Sequence, residues 1–78
     1  MKFKSLDAVV LVRDIPEAHL KEGDLGAVVH TYEPDGLEVE FVAASGRTET
    51  LVTLRENDVR PVADTDLIAV RSLRRRTA

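Results

Sequence analysis

Short runs of aliphatic and β-branched residues, each closed by Pro, Gly or Asp, recur along this chain and predict strands rather than helices. The first strand is expected over Asp7–Arg13 and stops at Asp14-Ile15-Pro16, because proline restricts the residue before it and cannot donate to a ladder. Residues 14–24 then read as a long loop with one helical turn at Pro16–Leu20, proline suiting a first helical position. A second strand follows at Leu25–Tyr32, with Ala27, Val29 and Thr31 on one face and Val28, His30 and Tyr32 on the other. Pro34-Asp35-Gly36 supplies a preset φ and then a residue tolerant of positive φ, the chemistry of a tight hairpin. The third strand, Leu37–Ala43, has the clearest period of two: Leu37, Val39, Phe41 and Ala43 toward a core, Glu38 and Glu40 toward water.

Ser45-Gly46-Arg47 marks a second tight hairpin, leading to a fourth strand at Thr48–Leu54. Its faces are Thr48, Thr50, Val52 and Leu54 against Glu49, Leu51 and Thr53. Arg55–Asp58 is too polar for a strand and too short for an α-helix, so a single 3₁₀ turn fits, followed by a short last strand at Val59–Val62 with Pro61 on an edge. Beyond Ala63 two elements compete: a helix capped by Asp64-Thr65-Asp66 and containing Leu67, Ile68, Val70, Arg71 and Leu73, or a sixth strand. The alternation of Ile68 and Val70 with Ala69 and Arg71 favours the strand or an extended segment. These elements describe an all-β, five-stranded SH3-like barrel, one domain over residues 1–70, with a flexible basic tail at 71–78. The alternative is an open, strongly bent meander of the same strands. Both use Gly23 and Gly26 as hinges, which places Gly26 at a bulge or at positive φ.

At 78 residues there is room for one core, and a domain of this size buries only roughly 60% of its unfolded surface, so every apolar strand face is needed. Phe3, Tyr32 and Phe41 are the whole aromatic set, too few for base stacking or an aromatic cage. The absence of cysteine removes disulfides, thiolate metal sites and Cys nucleophiles, and points to the cytoplasm. The N-terminal residues lack the apolar stretch of a signal peptide, and no run approaches the ~20 residues of a membrane span.

Charge is distributed unevenly. Residues 1–70 carry 7 basic and 14 acidic groups, a net of −7, whereas Arg71, Arg74, Arg75 and Arg76 add +4. Asp14, Glu17, Glu22 and Asp24 cluster in or beside the first loop with Ile15 and Leu20 among them. That arrangement suggests an acidic rim around apolar residues, suited to a basic protein partner. The four arginines form the alternative candidate, a set of phosphate contacts for nucleic acid, or a tail that pairs with an acidic surface of a second copy or a partner. The acidic body opposes the nucleic-acid reading. No catalytic set, metal site or cofactor loop emerges. Ser5, Ser45 and Ser72 lack a nucleophile context, His19 and His30 have no ligand spacing, and Glu38 and Glu40 form a solvated stripe. Gly23-x-x-Gly26 precedes a strand, whereas a phosphate cradle precedes a helix.

Leu6–Leu11, Asp14-Ile15-Pro16, Leu20–Val29, Val39-Glu40-Phe41 and Asp58–Val62 together resemble a domain-of-unknown-function family of short bacterial SH3-like proteins. The resemblance spans roughly residues 5–70 and rests on turn glycines and core strands. It implies no catalytic residues. It does imply a non-catalytic interaction module, binding a protein encoded nearby in the manner of an antitoxin or immunity factor; the SH3-like barrel fold adds the alternative of a docking subunit within a larger enzyme complex. Gly23–Val29 is also similar, over about ten residues, to the entry of KOW-type SH3-like domains of ribosomal and transcription proteins.

Overall fold

A computed structural model describes residues 2–73. The strands are β1 (Ala8–Leu11), β2 (Leu25–Tyr32), β3 (Gly36–Val42), β4 (Thr48–Arg55) and a three-residue β5 (Val59–Pro61). Two 3₁₀ turns, Pro16–Ala18 and Glu56–Asp58, fall where proline and a polar tetrapeptide exclude longer structure. The strands form one antiparallel sheet in the order β4-β3-β2-β1-β5. β5 therefore returns beside β1, with Val9, Val10 and Leu11 opposite Pro61, Arg60 and Val59. The sheet is open, since β4 and β5 stand at its two margins. Pro61 sits on a margin, where the missing N–H costs no ladder bond.

One face of this sheet carries the core. Val9 and Leu11 of β1, Val28 of β2, Leu37, Val39 and Phe41 of β3, Leu54 of β4 and Val59 of β5 are all buried, joined by Phe3, Ile15 and Leu20 from outside the strands. The alternation expected in β3 and β4 is observed: Leu37, Val39 and Phe41 point inward and pair across to Leu54, Val52 and Thr50. In β2 the expected faces are corrected by a bulge. Val28 pairs with Val39 and His30 with Glu38, so Val29 is an extra residue and both Val29 and His30 lie outward. Thr31, opposite Leu37, resumes the inward position.

Gly23 has φ +94 and Gly46 has φ +92, as a turn at each position demands. Gly26 does not sit at positive φ, and the shift in the β2–β3 ladder falls further along. A methyl group there would lie 2.7 Å from Val39 Cγ1, 2.8 Å from Phe41 Cε1 and 3.0 Å from the Glu40 carbonyl oxygen. Gly26 is required by close packing, not by a hinge. Residues 62–73 form neither the sixth strand nor the helix expected of them: a turn at Asp64-Thr65 leads into an irregular strap. Polar clamps, described next, hold that strap in place of a ladder.

Candidate interaction surface

The first loop is built by short-range hydrogen bonds. Ile15 and Leu20 form an isolated bridge, with N–H to carbonyl distances of 2.9 and 3.1 Å, around the Pro16–Ala18 turn. His19 closes the turn in the left-handed region at φ 59, and its N–H donates to the Pro16 carbonyl at 3.0 Å. The Asp14 carboxylate accepts the Glu22 N–H at 2.8 Å, and the Asp24 carboxylate accepts the Lys21 N–H at 2.8 Å. Gly23 then donates to the Leu11 carbonyl, and Leu11 to the Asp24 carbonyl, so the loop is fixed to β1 at its return.

This geometry sorts the predicted loop residues. Asp14, Glu17 and Glu22 are exposed and give the loop an acidic surface. Leu20 is not part of that surface: with Ile15 it is buried in the core, because the bridge between them turns both side chains inward. Asp24 is committed to an arginine from the far end of the chain. Arg71 Nε donates to Asp24 Oδ1 at 2.8 Å, and its Nη2 donates to Oδ2 at 2.5 Å and to the His19 carbonyl at 3.1 Å. This fork holds the Asp24 carboxyl below its ordinary range, with the Lys21 N–H adding to the effect against partial burial. Arg74, Arg75 and Arg76 lie outside the described residues.

A second clamp begins the strap. Arg60 of β5 grips Asp66 with two hydrogen bonds, 2.9 and 3.0 Å, and the Ala63 N–H donates to the same carboxylate at 2.7 Å. The arginine fork foremost, then the N–H, depress the Asp66 carboxyl to about 2. Between the clamps the strap runs as Leu67-Ile68-Ala69-Val70, with Leu67 93%, Ile68 69% and Val70 95% exposed. Beneath it lies Val10, which alternation places on the sheet face opposite Val9 and Leu11, next to Leu25 and Arg60 in the ladders. Val10 is outside the main core cluster yet only 7% exposed. A groove of about 390 Å³ separates strap from sheet, and Val10, Leu25, Val62, Glu22, Asp24 and Arg71 are among its lining residues.

The other polar groups are engaged elsewhere. Glu38 accepts the Thr53 hydroxyl at 2.8 Å, and Glu40 accepts that of Thr48. His30 packs edge-on against Tyr32, with ring centroids 4.7 Å apart. Burial opposes ionisation of Asp58, but hydrogen bonds from Arg13 and the Arg55 N–H outweigh it and keep its carboxyl below the ordinary value. Among the described residues no three His, Cys, Asp or Glu side chains gather to hold a metal ion, and no helix is long and apolar enough to cross a membrane.

Sequence reasoning found the acidic loop and the basic tail as separate candidates; it missed that they meet. Arg71 and Asp24 are 47 positions apart, and no local pattern links them. The only available signal was the opposite charge of the two segments. Fold and site thus define a small all-β protein whose open five-stranded sheet carries a clamped C-terminal strap. The chain belongs to the family described as Domain of unknown function (DUF4926), whose model matches residues 5–61. That match ends at the last residue of β5, so the strap lies beyond it. No curated protein and no solved structure matches the chain.

Proposed function

We propose that this protein is a non-catalytic protein-interaction module of SH3-like type, and that it binds its partner along the first loop and the groove that the strap covers. The observation that carries this reading is convergence. The acids Glu22 and Asp24 and the apolar residues Val10, Leu25 and Val62 line one groove on one side of the sheet, and the exposed Asp14 and Glu17 extend the acidic character along the first loop. An apolar centre with a charged rim is the composition of a protein-binding patch, and the rim's sign selects a partner with lysines or arginines around its apolar contact. The SH3-like part of the reading is supported by the strand order, with β5 beside β1, and by the 3₁₀ turn before β5. The partner is a protein encoded nearby, in keeping with an antitoxin or immunity role.

The test is co-expression with the products of adjacent genes, followed by size-exclusion chromatography with light scattering. A stoichiometric complex is expected, and the double substitution Glu17→Lys, Glu22→Lys should abolish it while leaving the melting temperature unchanged. Failure to find a complex with any neighbour, or a complex indifferent to these substitutions, would overturn the proposal.

A further inference from the structure

The strap contacts its own chain in a way that names the partner's chemistry. Asp24 and His19 form a receptor for a guanidinium group. The carboxylate is oriented from behind by the Lys21 N–H, and the left-handed His19 presents its carbonyl to the same nitrogen that one carboxylate oxygen accepts. A planar fork satisfies this arrangement with three hydrogen bonds, whereas a lysine ammonium lacks the geometry to make the paired contact. The receptor residues all belong to the loop, which is secured to β1 through Gly23, Leu11 and Asp24 main-chain bonds. It is complete without the strap.

The strap, in contrast, joins no ladder of the sheet and is gripped by the Arg60–Asp66 and Arg71–Asp24 side-chain forks. It begins with a turn that the Asp66 N–H closes on the Ala63 carbonyl. Leu67 and Val70 are more than nine-tenths exposed, so packing of these side chains contributes little to holding it down. Such a segment behaves as a tethered ligand of modest affinity, kept in place chiefly by its high effective concentration.

We infer that Arg71 is an internal occupant of an arginine-recognition site, and that the partner protein supplies an extended segment in which an arginine follows aliphatic residues. On binding, that arginine replaces Arg71 on Asp24 and His19, its aliphatic residues settle over Val10 and Leu25, and the strap swings out beyond the Asp66 clamp. Charge selects the segment: Glu22 and Asp24 line the same groove, and Arg71 neutralises Asp24 only while the strap is closed. The inference rests on the interaction-module reading but is tested without the natural partner.

The probe is a synthetic peptide with the sequence of residues 66–73, added to the full chain and followed by amide chemical shifts of His19, Lys21 and Asp24. In Arg71→Ala, whose site is vacant, saturable binding with shifts at those three residues is expected. Wild type should bind the same peptide at least tenfold more weakly, because its own strap competes. A peptide with lysine in place of the arginine should lose most of its affinity for Arg71→Ala, and Asp24→Asn combined with Arg71→Ala should not bind. Absence of peptide binding to a folded Arg71→Ala protein, or equal binding by wild type and variant, would refute the receptor. Neither result bears on whether a neighbouring gene product forms a complex, so the two proposals fail separately.

Discussion

Gly26→Ala is the substitution in which two opposing effects can be weighed against each other most directly. In a strand at ordinary φ, replacing glycine by alanine normally stabilises by about 0.4–1 kcal/mol, because the unfolded chain loses freedom. Here the new methyl would meet Val39 Cγ1 at 2.7 Å and Phe41 Cε1 at 2.8 Å, when carbon atoms prefer about 3.5–4.0 Å. Neither neighbour yields readily. Val39 is fully buried and stiff at χ1, Phe41 is 4% exposed, and the third close atom is the main-chain carbonyl of Glu40, held in the β2–β3 ladder. Overpacking of this kind costs about 1–3 kcal/mol, and three blocked directions place Gly26 at the upper end. The net is a loss of about 2 kcal/mol, or roughly 8–16 °C in melting temperature for a domain of this size.

Urea and thermal unfolding followed by circular dichroism measure that loss, and a double-mutant cycle assigns its cause. Val39→Ala removes the nearest clashing atom, so Gly26→Ala should cost about 1 kcal/mol less in that background. Gly23→Ala provides the contrast. It meets no atom within 4 Å but sits at φ +94, so its cost of about 1–2 kcal/mol should be independent of Val39. A neutral or stabilising Gly26→Ala, or strict additivity with Val39→Ala, would show that the β2–β3 approach is wider than described.

Phe41→Ala should cost about 3–5 kcal/mol, a large part of the ~4–12 kcal/mol expected for a chain of this length, and denaturant melts should show a marginal or unfolded protein. Arg71→Ala takes the bidentate partner from Asp24, whose side chain is only 17% exposed, and should lower the melting temperature by several degrees, while ¹⁵N relaxation should show new nanosecond motion at Leu67–Val70. Unchanged order parameters there would mean that the strap is held by something other than the Asp24 clamp. The Asp66 carboxyl, ordinarily near 3.8, is depressed to about 2 in the folded chain, so its contribution is complete above pH 3.8 and fades as pH falls toward 2. A ¹³C carboxylate titration of Asp66 with a midpoint near 2 is expected in wild type, moving up toward 3.8 in Arg60→Ala.

The strands were legible because each hydrophobic run carries its own boundary. Pro16, Pro34-Asp35-Gly36, Ser45-Gly46-Arg47 and Arg55–Asp58 all stop or turn the chain through local chemistry, and β2 matches its expected limits, Leu25–Tyr32. Failures came where a distant contact decides. The bulge at Val29 reverses the side chains after it, and it depends on how β2 registers with β3. Gly26 reads as a conformational position because a lone sequence shows that a side chain is absent, never which neighbour requires its absence. Leu20 illustrates the same limit: a leucine between charged residues looks like part of a surface until the Ile15 bridge turns it inward. The strap is the clearest case, since Ile68 and Val70 alternate as a strand would, yet no edge receives them.

That failure also bears on function. A basic tail on an acidic body reads from composition as a polyanion-binding appendage, and free arginines would support it. Arg71 is not free. To contact a phosphate it must leave the Asp24 carboxylate and the His19 carbonyl, exposing a carboxylate that repels the same phosphate. Each step toward nucleic acid thus carries an electrostatic cost that a protein partner with its own arginine does not meet, because such a partner restores the guanidinium–carboxylate pair it displaces. Under the proposed exchange, one arginine would replace another at Asp24 at little net cost, and the aliphatic contacts over Val10 and Leu25, which line the groove, would set the affinity. Leu25→Asp, at a groove position that is 44% exposed, should therefore weaken partner and peptide binding far more than it weakens the fold.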